Sequence, residues 1–140
     1  MYYKKTKKRP SYKFSDFKKT CSKKNKKNIF IFHNALKDAG KYFNLRTKKE
    51  ILDFIYNDGL ENRSFINTTP WRENSDKNIQ IMADAYEFES GYKRGYLAFM
   101  YSKYINKWII KSFHLSENTN DQMFQALKKS DIRKILNLEG

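Results

Sequence analysis

The sequence has few of the residues that build disulfides and metal centres. Its 140 residues include one cysteine and two histidines. The lone Cys21 excludes a disulfide framework and a cysteine-based zinc site, and it fits a reducing compartment. The sequence contains neither an H-x-x-x-H nor a C-x-x-C spacing, the two commonest starting points for a transition-metal site. We therefore expect neither a bound metal nor another cofactor.

Glycine-rich motifs and long apolar runs are also absent. The five glycines are scattered singly, so they cannot form a phosphate-binding loop, and there is no Gly-x-Ser-x-Gly elbow. No window approaches the ~18 apolar residues of a membrane-spanning helix. The charged N-terminus is not followed by the apolar run of a signal peptide. These absences predict a cytoplasmic protein without a membrane partner.

Positive charge is abundant but unevenly distributed. Residues 1–27 hold 12 Lys or Arg against one acid, whereas residues 28–140 hold 17 basic and 14 acidic side chains. This predicts a polybasic segment, partly disordered or forming a short helix, followed by a single α+β domain. A polycation favours a polyanionic partner such as RNA, although it can also be a solvated tail. Within it, Lys7, Lys8 and Arg9 are candidate phosphate ligands.

Helix signals dominate the first half of the chain. Ser15 is a candidate N-cap for a short helix over about residues 16–24. The apolar run 29–32 fits either a strand or the first turn of a helix. Apolar spacing then predicts an amphipathic helix over roughly 32–43.

A second main helix is predicted over about residues 48–57. Thr47 and Glu50 form a capping box at its start. Gly59 is suited to a left-handed residue at its end.

Strand signals follow. Residues 62–68 read as a strand, residues 79–89 as a strand or a helix, and residues 95–116 as a hairpin of aromatic and β-branched runs. Asn and Asp residues after position 117 can cap a C-terminal helix. We therefore predict an α+β fold with two N-terminal helices, an antiparallel sheet of about four strands and a C-terminal helix.

The hairpin carries the best candidate for chemistry, His114. A hairpin that turns near Ile105 brings Tyr96 close to His114. Strict alternation places Lys111 on the opposite face from His114. It groups Trp108, Ile110 and Ser112 with His114, and Ile109 and Phe113 with Lys111.

A phenol, an imidazole and cations at one end of a sheet can cleave RNA without a metal. One group activates the ribose 2′-OH, another protonates the leaving 5′-oxygen, and cations stabilise charge on the phosphate. His114 is the candidate acid or base and Tyr96 its partner at the 2′-OH. Alternatively, His114 is a strand-end residue bonded to backbone. The candidate phosphate ligands in this body of the chain are Lys111, Arg94, Lys93, Arg63 and Arg72.

Two further patterns have structural explanations. Glu87 and Glu89 share a face of a strand, which indicates a solvated edge rather than a catalytic carboxylate pair. Trp71 lies in a polar loop, where a tryptophan anchors the loop on the core more often than it stacks on a ligand.

Several motifs together resemble the RelE-superfamily messenger-RNA interferases, and most of all the MqsR-type toxins of toxin–antitoxin pairs. Asp84-Ala85-Tyr86 resembles the Asp-Val-Tyr part of that family's Trp-Gln-Asp-Val-Tyr segment, and Gly95-Tyr96-Leu97 resembles its Val-Tyr-Leu strand. The other matching stretches are Arg9-Pro10-Ser11-Tyr12, residues 14–19, residues 35–40 and residues 109–114.

The resemblance implies a RelE/barnase-like fold, RNA cleavage and a neutralising antitoxin partner. Residue by residue, the family's strand tyrosine corresponds to Tyr96 and its closing lysine to His114. Its glutamine corresponds to Ala83, which cannot act chemically. Its first-strand lysine falls around Phe65, with Arg63 the nearest cation. The alternative to an endoribonuclease is a non-enzymatic nucleic-acid-binding protein, a phage host-takeover protein or an inhibitor of another nucleic-acid enzyme.

Overall fold

A five-stranded sheet with three α-helices on one face forms the body of the protein. The computed structural model describes residues 9–73 and 79–116. In chain order the elements are α1 (Phe14–Thr20), a 3-10 helix (Lys23–Asn28), β1 (Ile29–Ile31), α2 (His33–Phe43), α3 (Lys48–Tyr56), β2 (Glu61–Pro70), β3 (Met82–Ser90), β4 (Lys93–Ser102) and β5 (Lys107–Leu115).

The sheet is mixed, with strand order β1-β5-β4-β3-β2. β2 to β5 form the predicted antiparallel meander, and β1 adds a fifth strand parallel to β5, with Ile29 opposite Trp108. The α+β class is confirmed, whereas the wholly antiparallel four-stranded sheet is wrong. Its error lies in the apolar run 29–32, whose length suits a strand and a helix start equally. The predicted C-terminal helix lies outside the described residues.

Both predicted ends of the first helix need correction, and its last residue is Thr20 rather than about residue 24. α1 begins at Phe14, one residue before the predicted cap, and Lys13 makes no side-chain cap. Ser15 therefore lies within the helix, which is fixed by ring contacts of Phe14 with Tyr86 at 5.2 Å and with Phe99 at 5.9 Å. Packing thus replaces capping as the cause of this helix start.

No helix among residues 9–73 and 79–116 is long and apolar enough to cross a membrane.

Only half of the capping box predicted at the start of α3 forms, because the Glu50 carboxylate accepts from the Arg46 N–H at 2.7 Å and not from that of Thr47. The prediction for the end of the helix is wrong. The Thr47 side chain accepts a hydrogen bond from the Glu50 amide at 3.1 Å. The left-handed residue after the helix is Asp58, with φ of 64°, and not Gly59. Gly59 is needed for a different reason, because a Cβ there would lie 2.5 Å from the Phe54 ring.

Aromatic rings fill the core between the helices and the sheet. Phe17 from α1 stacks on Phe99 from β4 with ring centroids 3.9 Å apart. Tyr86 stacks on the same ring at 5.9 Å. The neighbouring Cys21 is buried, and burial raises the pKa of its thiol to about 12, which leaves it unreactive at neutral pH.

The residues before α1 are tied to the sheet by a buried carboxylate. Asp84 on β3 is fully buried, and its two oxygens each accept one backbone N–H at 3.0 Å, from Ser11 and from Tyr12. The Tyr12 hydroxyl donates to the Met82 carbonyl at 2.7 Å. These bonds satisfy a carboxylate that would otherwise be costly to bury.

Candidate active site

A pocket of about 410 Å³ lies on the sheet face away from the helices. It crosses four neighbouring strands, from Ile66 on β2 to His114 on β5. Glu87 on β3 is opposite Tyr96 on β4, and Tyr96 is opposite His114. The side chains of these three residues therefore form a row on one face. The complete lining is Ile66, Glu87, Tyr96, Lys111, Ser112, His114 and Ser116.

Tyr96 and His114 are stacked. Their ring centroids are 4.8 Å apart and their planes differ by 9°. The adjacency follows from the hairpin that the sequence predicted, with its turn at residues 103–106. Burial raises the pKa of the Tyr96 phenol, so this group stays protonated at neutral pH. It is therefore a hydrogen-bond donor and not a base.

The backbone fixes the tautomer of His114. Its Nδ1 lies 2.7 Å from the Leu115 carbonyl oxygen. A carbonyl oxygen only accepts, so Nδ1–H is the donor. In the neutral imidazole, Nε2 then keeps its lone pair and can take up a proton. The backbone hydrogen bond of the alternative interpretation, in which His114 is a strand-end residue bonded to backbone, is therefore present, and it leaves the Nε2 lone pair available.

A β-bulge at Lys111 changes the faces of β5. Ala98 is opposite Ser112, but the next residue, Phe99, is opposite Ile110. Lys111 is the extra residue, and it lies with Ser112 in the His114 pocket. The strict alternation predicted from the sequence is therefore wrong. Ile110 belongs to the core under the helices, and Lys111 shares the face of His114.

Glu87 lines the pocket, and the prediction that it lies on a solvated edge is wrong. Its exposed fraction is 8%, so it is not on a solvated edge. One carboxylate oxygen pairs with Arg94 Nη2 at 3.0 Å, and the other accepts a hydrogen bond from the Ser116 hydroxyl at 2.6 Å. Since β3 and β4 are joined by a tight turn at Gly91, counting outward from that turn would have placed Glu87 beside Tyr96.

A second, smaller pocket of about 280 Å³ shares Lys111 with the first. Arg72 and Ala83 line it. Trp71 also lines it and packs on Phe32 with ring centroids 6.0 Å apart. The interpretation of Trp71 as a loop anchor is confirmed by this packing.

Two of the predicted phosphate ligands lie on the other face of the sheet. Lys93 donates to the Tyr42 carbonyl on α2. The Arg63 guanidinium lies 3.8 Å from the centre of the Phe14 ring. Both residues therefore contact the helical side, away from His114. Arg9 is exposed where the described chain begins, whereas Lys7 and Lys8 lie outside the described residues.

The pocket thus combines a proton acceptor, a neutral phenol and an ammonium group. Lys111 adds a positive charge, and the Arg94 charge is balanced by Glu87. Among residues 9–73 and 79–116, no three His, Cys, Asp or Glu side chains are grouped to hold a metal ion.

Comparison of the chain with protein-family models, with curated proteins and with solved structures gave no match. The resemblance to the RelE-superfamily interferases therefore stays a prediction.

Proposed function

We propose that this protein is a metal-independent endoribonuclease that cleaves RNA by attack of a ribose 2′-OH on the adjacent phosphate. The observation that carries the proposal is the Tyr96–His114 stack in a pocket that also holds Lys111. An imidazole with a free Nε2 is suited to proton transfer near neutral pH. The neutral phenol and the ammonium supply the hydrogen bonds and charge that the reaction needs.

In this mechanism His114 Nε2 takes the proton of the 2′-OH. The 2′-oxygen bonds to phosphorus while the bond from phosphorus to the 5′-oxygen breaks. The 5′-oxygen takes a proton from the Lys111 ammonium, and Tyr96 donates a hydrogen bond that orients the 2′-oxygen. The products are a 2′,3′-cyclic phosphate and a 5′-hydroxyl, and solvent restores both protonation states.

Glu87 has a positioning role in this scheme. It lies next to Tyr96 across the sheet and holds the Arg94 guanidinium at 3.0 Å. Because Arg94 balances its charge, the Glu87 carboxylate does not repel a phosphate that binds in the pocket. Lys111 then gives the pocket a net positive character, which favours an RNA phosphate.

The biological setting that we propose is a toxin of a toxin–antitoxin pair that acts in the cytoplasm. The resemblance of the strand motifs around Tyr96 and His114 supports this. The formal charge of +14 fits both an RNA substrate and an acidic antitoxin protein. Co-expression with the product of an adjacent gene for a small acidic protein would test the partnership.

The first prediction tests the reaction with purified full-length protein and RNA in EDTA. We expect cleavage that leaves 2′,3′-cyclic phosphate ends, and a loss of about 10²- to 10⁴-fold in the His114→Ala variant. His33→Ala is the matched control, since His33 is exposed at the start of α2 and lies outside the pocket. The readout is the single-turnover rate, with thermal melting to check the fold of each variant.

The proposal fails if the wild-type protein leaves RNA intact, or if His114→Ala cleaves as fast as His33→Ala. Loss of activity in both histidine variants would show that the assay reports folding and would remove the argument for the pocket.

A second candidate, nucleic-acid binding without catalysis, is favoured by the 12 basic side chains of residues 1–27. The structure sharpens the test that separates the two. A deletion through residue 13 would remove Ser11 and Tyr12 and leave the buried Asp84 carboxylate without their N–H donors. Deletion of residues 1–8 removes four lysines and keeps this anchor. If the protein is an enzyme, the variant without residues 1–8 still cleaves RNA. If the protein acts only by binding through its basic N-terminal segment, the same variant loses RNA binding.

A further inference from the structure

A second large groove lies on the helical side of the molecule, between the 3-10 helix and α3. Its volume is about 610 Å³. Because α3 packs on the sheet face opposite to Tyr96 and His114, this groove is separate from the His114 pocket. The lining residues are Ser22, Lys23, Lys24, Lys49, Asp53, Tyr56 and Asn57.

The groove is strongly cationic. Lys49 is paired with Asp53 at 2.7 Å, so the charges of Lys23 and Lys24 are in excess along the lining. The 3-10 helix has the sequence Lys-Lys-Asn-Lys-Lys-Asn and no acidic residue. The hydrogen bond from Lys49 lowers the pKa of Asp53, and the charges of Lys23 and Lys26 lower it further.

More lysines crowd beside the groove. Lys107 at the start of β5 donates to the Lys27 carbonyl at 2.7 Å, which holds it against the 3-10 helix. Partial burial lowers the pKa of Lys48, and the nearby charges of Lys107 and Lys26 lower it further. Such like charges repel one another, and a bound polyanion relieves the repulsion.

An exposed aromatic ring completes the groove. Tyr56 is the last residue of α3, lines the groove and keeps 46% of its surface exposed. Lysines that follow a phosphate backbone, together with an aromatic ring on which a base can stack, are the features of proteins that bind single-stranded nucleic acid. A concave groove admits such a strand, whereas a flat lipid surface reaches only its rim.

We propose that this groove binds single-stranded RNA, with Lys23 and Lys24 on backbone phosphates and Tyr56 stacked on a base. The choice of RNA rests on the proposed endoribonuclease function. Because the groove and the His114 pocket lie on opposite faces of the sheet, the groove captures long RNA and takes no part in the bond-breaking step. Loss of the groove therefore raises KM for long RNA and leaves kcat unchanged.

The second prediction is tested by binding of a labelled single-stranded RNA of mixed sequence to the full-length protein. All proteins carry His114→Ala so that the RNA stays intact. We expect the double variant Lys23→Ala/Lys24→Ala to bind more weakly and to reduce the slope of log K against log salt by about 1.4, from ~0.7 per phosphate contact. Lys37→Ala/Lys41→Ala, which removes the same charge from exposed positions on α2, leaves that slope unchanged.

The stacking contact has its own matched pair. We expect Tyr56→Ala to weaken RNA binding about fivefold or more. Tyr92→Ala, at a turn residue whose side chain is 79% exposed, leaves the affinity unchanged.

These measurements do not need cleavage, so they decide the groove even if the wild-type protein proves to have no ribonuclease activity. The groove proposal is overturned if both lysine pairs alter the salt slope equally, or if Tyr56→Ala binds RNA like the parent. It is also overturned if the groove variants lose binding to phosphatidylserine vesicles while their binding to RNA is unchanged.

Discussion

One face of the sheet lies under the helices and carries the large aromatic core. The opposite face carries small and polar side chains around the Tyr96–His114 pair and, beside them, a smaller apolar cluster that includes Met100 and Ile109. On β4, Leu97 and Phe99 belong to the core under the helices. Ala98, between them, points the other way and pairs with Ser112 across the strands. The two faces alternate along the same strands, so one short stretch of chain serves both stability and the candidate chemistry.

The two faces also differ in how they hold a buried carboxylate. Asp84, under the helices, accepts two backbone N–H groups of the N-terminal segment. Glu87, on the opposite face, is paired with the side chains of Arg94 and Ser116. Asp84 therefore joins distant parts of the chain, whereas Glu87 organises the surroundings of the pocket.

The largest expected effect is a loss of unfolding free energy when a core ring on the face under the helices is removed. Phe99→Ala removes the ring that stacks on Phe17 and Tyr86, and such a truncation costs about 3 to 5 kcal/mol of unfolding free energy. Ser112→Ala, opposite the neighbouring Ala98 but on the other face of the sheet, changes it by less than about 0.5 kcal/mol. Urea denaturation measures both. Equal losses would contradict the division of roles between the faces.

A smaller effect sharpens the comparison of the two carboxylates. Asp84→Ala leaves the N–H groups of Ser11 and Tyr12 without their charged acceptor, and we expect a loss of about 2 to 3 kcal/mol. Glu87→Gln keeps one oxygen acceptor and the size of the side chain, so its expected cost is about 1 kcal/mol, and its larger effect is on cleavage. Urea denaturation and the RNA cleavage rate give the two readouts. A greater loss of stability in Glu87→Gln would reverse the roles that we assign.

Much of the fold could be predicted because its signals are local. The Thr47–Glu50 cap and the spacing of apolar residues in α2 depend on neighbours a few positions apart. The hairpin of β4 and β5 follows from two β-rich runs around a short polar break. β1 could not be assigned, because its pairing with β5 joins residues about eighty positions apart in the sequence.

The site could be predicted only in part. Tyr96 and His114 are opposite each other as a turn near Ile105 predicts, although the bulge at Lys111 lies between that turn and this pair. Lys111 was assigned to the wrong face because the bulge is set by packing across strands, which leaves no clear mark in one sequence. Glu87 was misjudged because its burial depends on Arg94 and Ser116, on two other segments of the chain.

The smallest expected effect is an alkaline loss of stability that involves both faces. Burial raises the pKa of Tyr12 and Tyr86 on the covered face and of Tyr96 on the opposite face. Each phenol therefore ionises more readily in the unfolded chain, where its pKa is about 10. Stability is full below pH ~10 and is lost as the pH rises through the higher folded-state values.

Urea denaturation at about pH 8, 9.5 and 10.5 measures this loss, which begins near the unfolded-state pKa of about 10. Each of Tyr12→Phe, Tyr86→Phe and Tyr96→Phe removes one ionisable group, so each variant should lose less stability between the lowest and the highest pH than the wild-type protein does. If the pH dependence of all three variants matched the wild type, the loss would come from other groups. If only Tyr96→Phe matched it, the phenol beside His114 would ionise as it does in the unfolded chain, and the burial that we hold responsible for its raised pKa would have no effect.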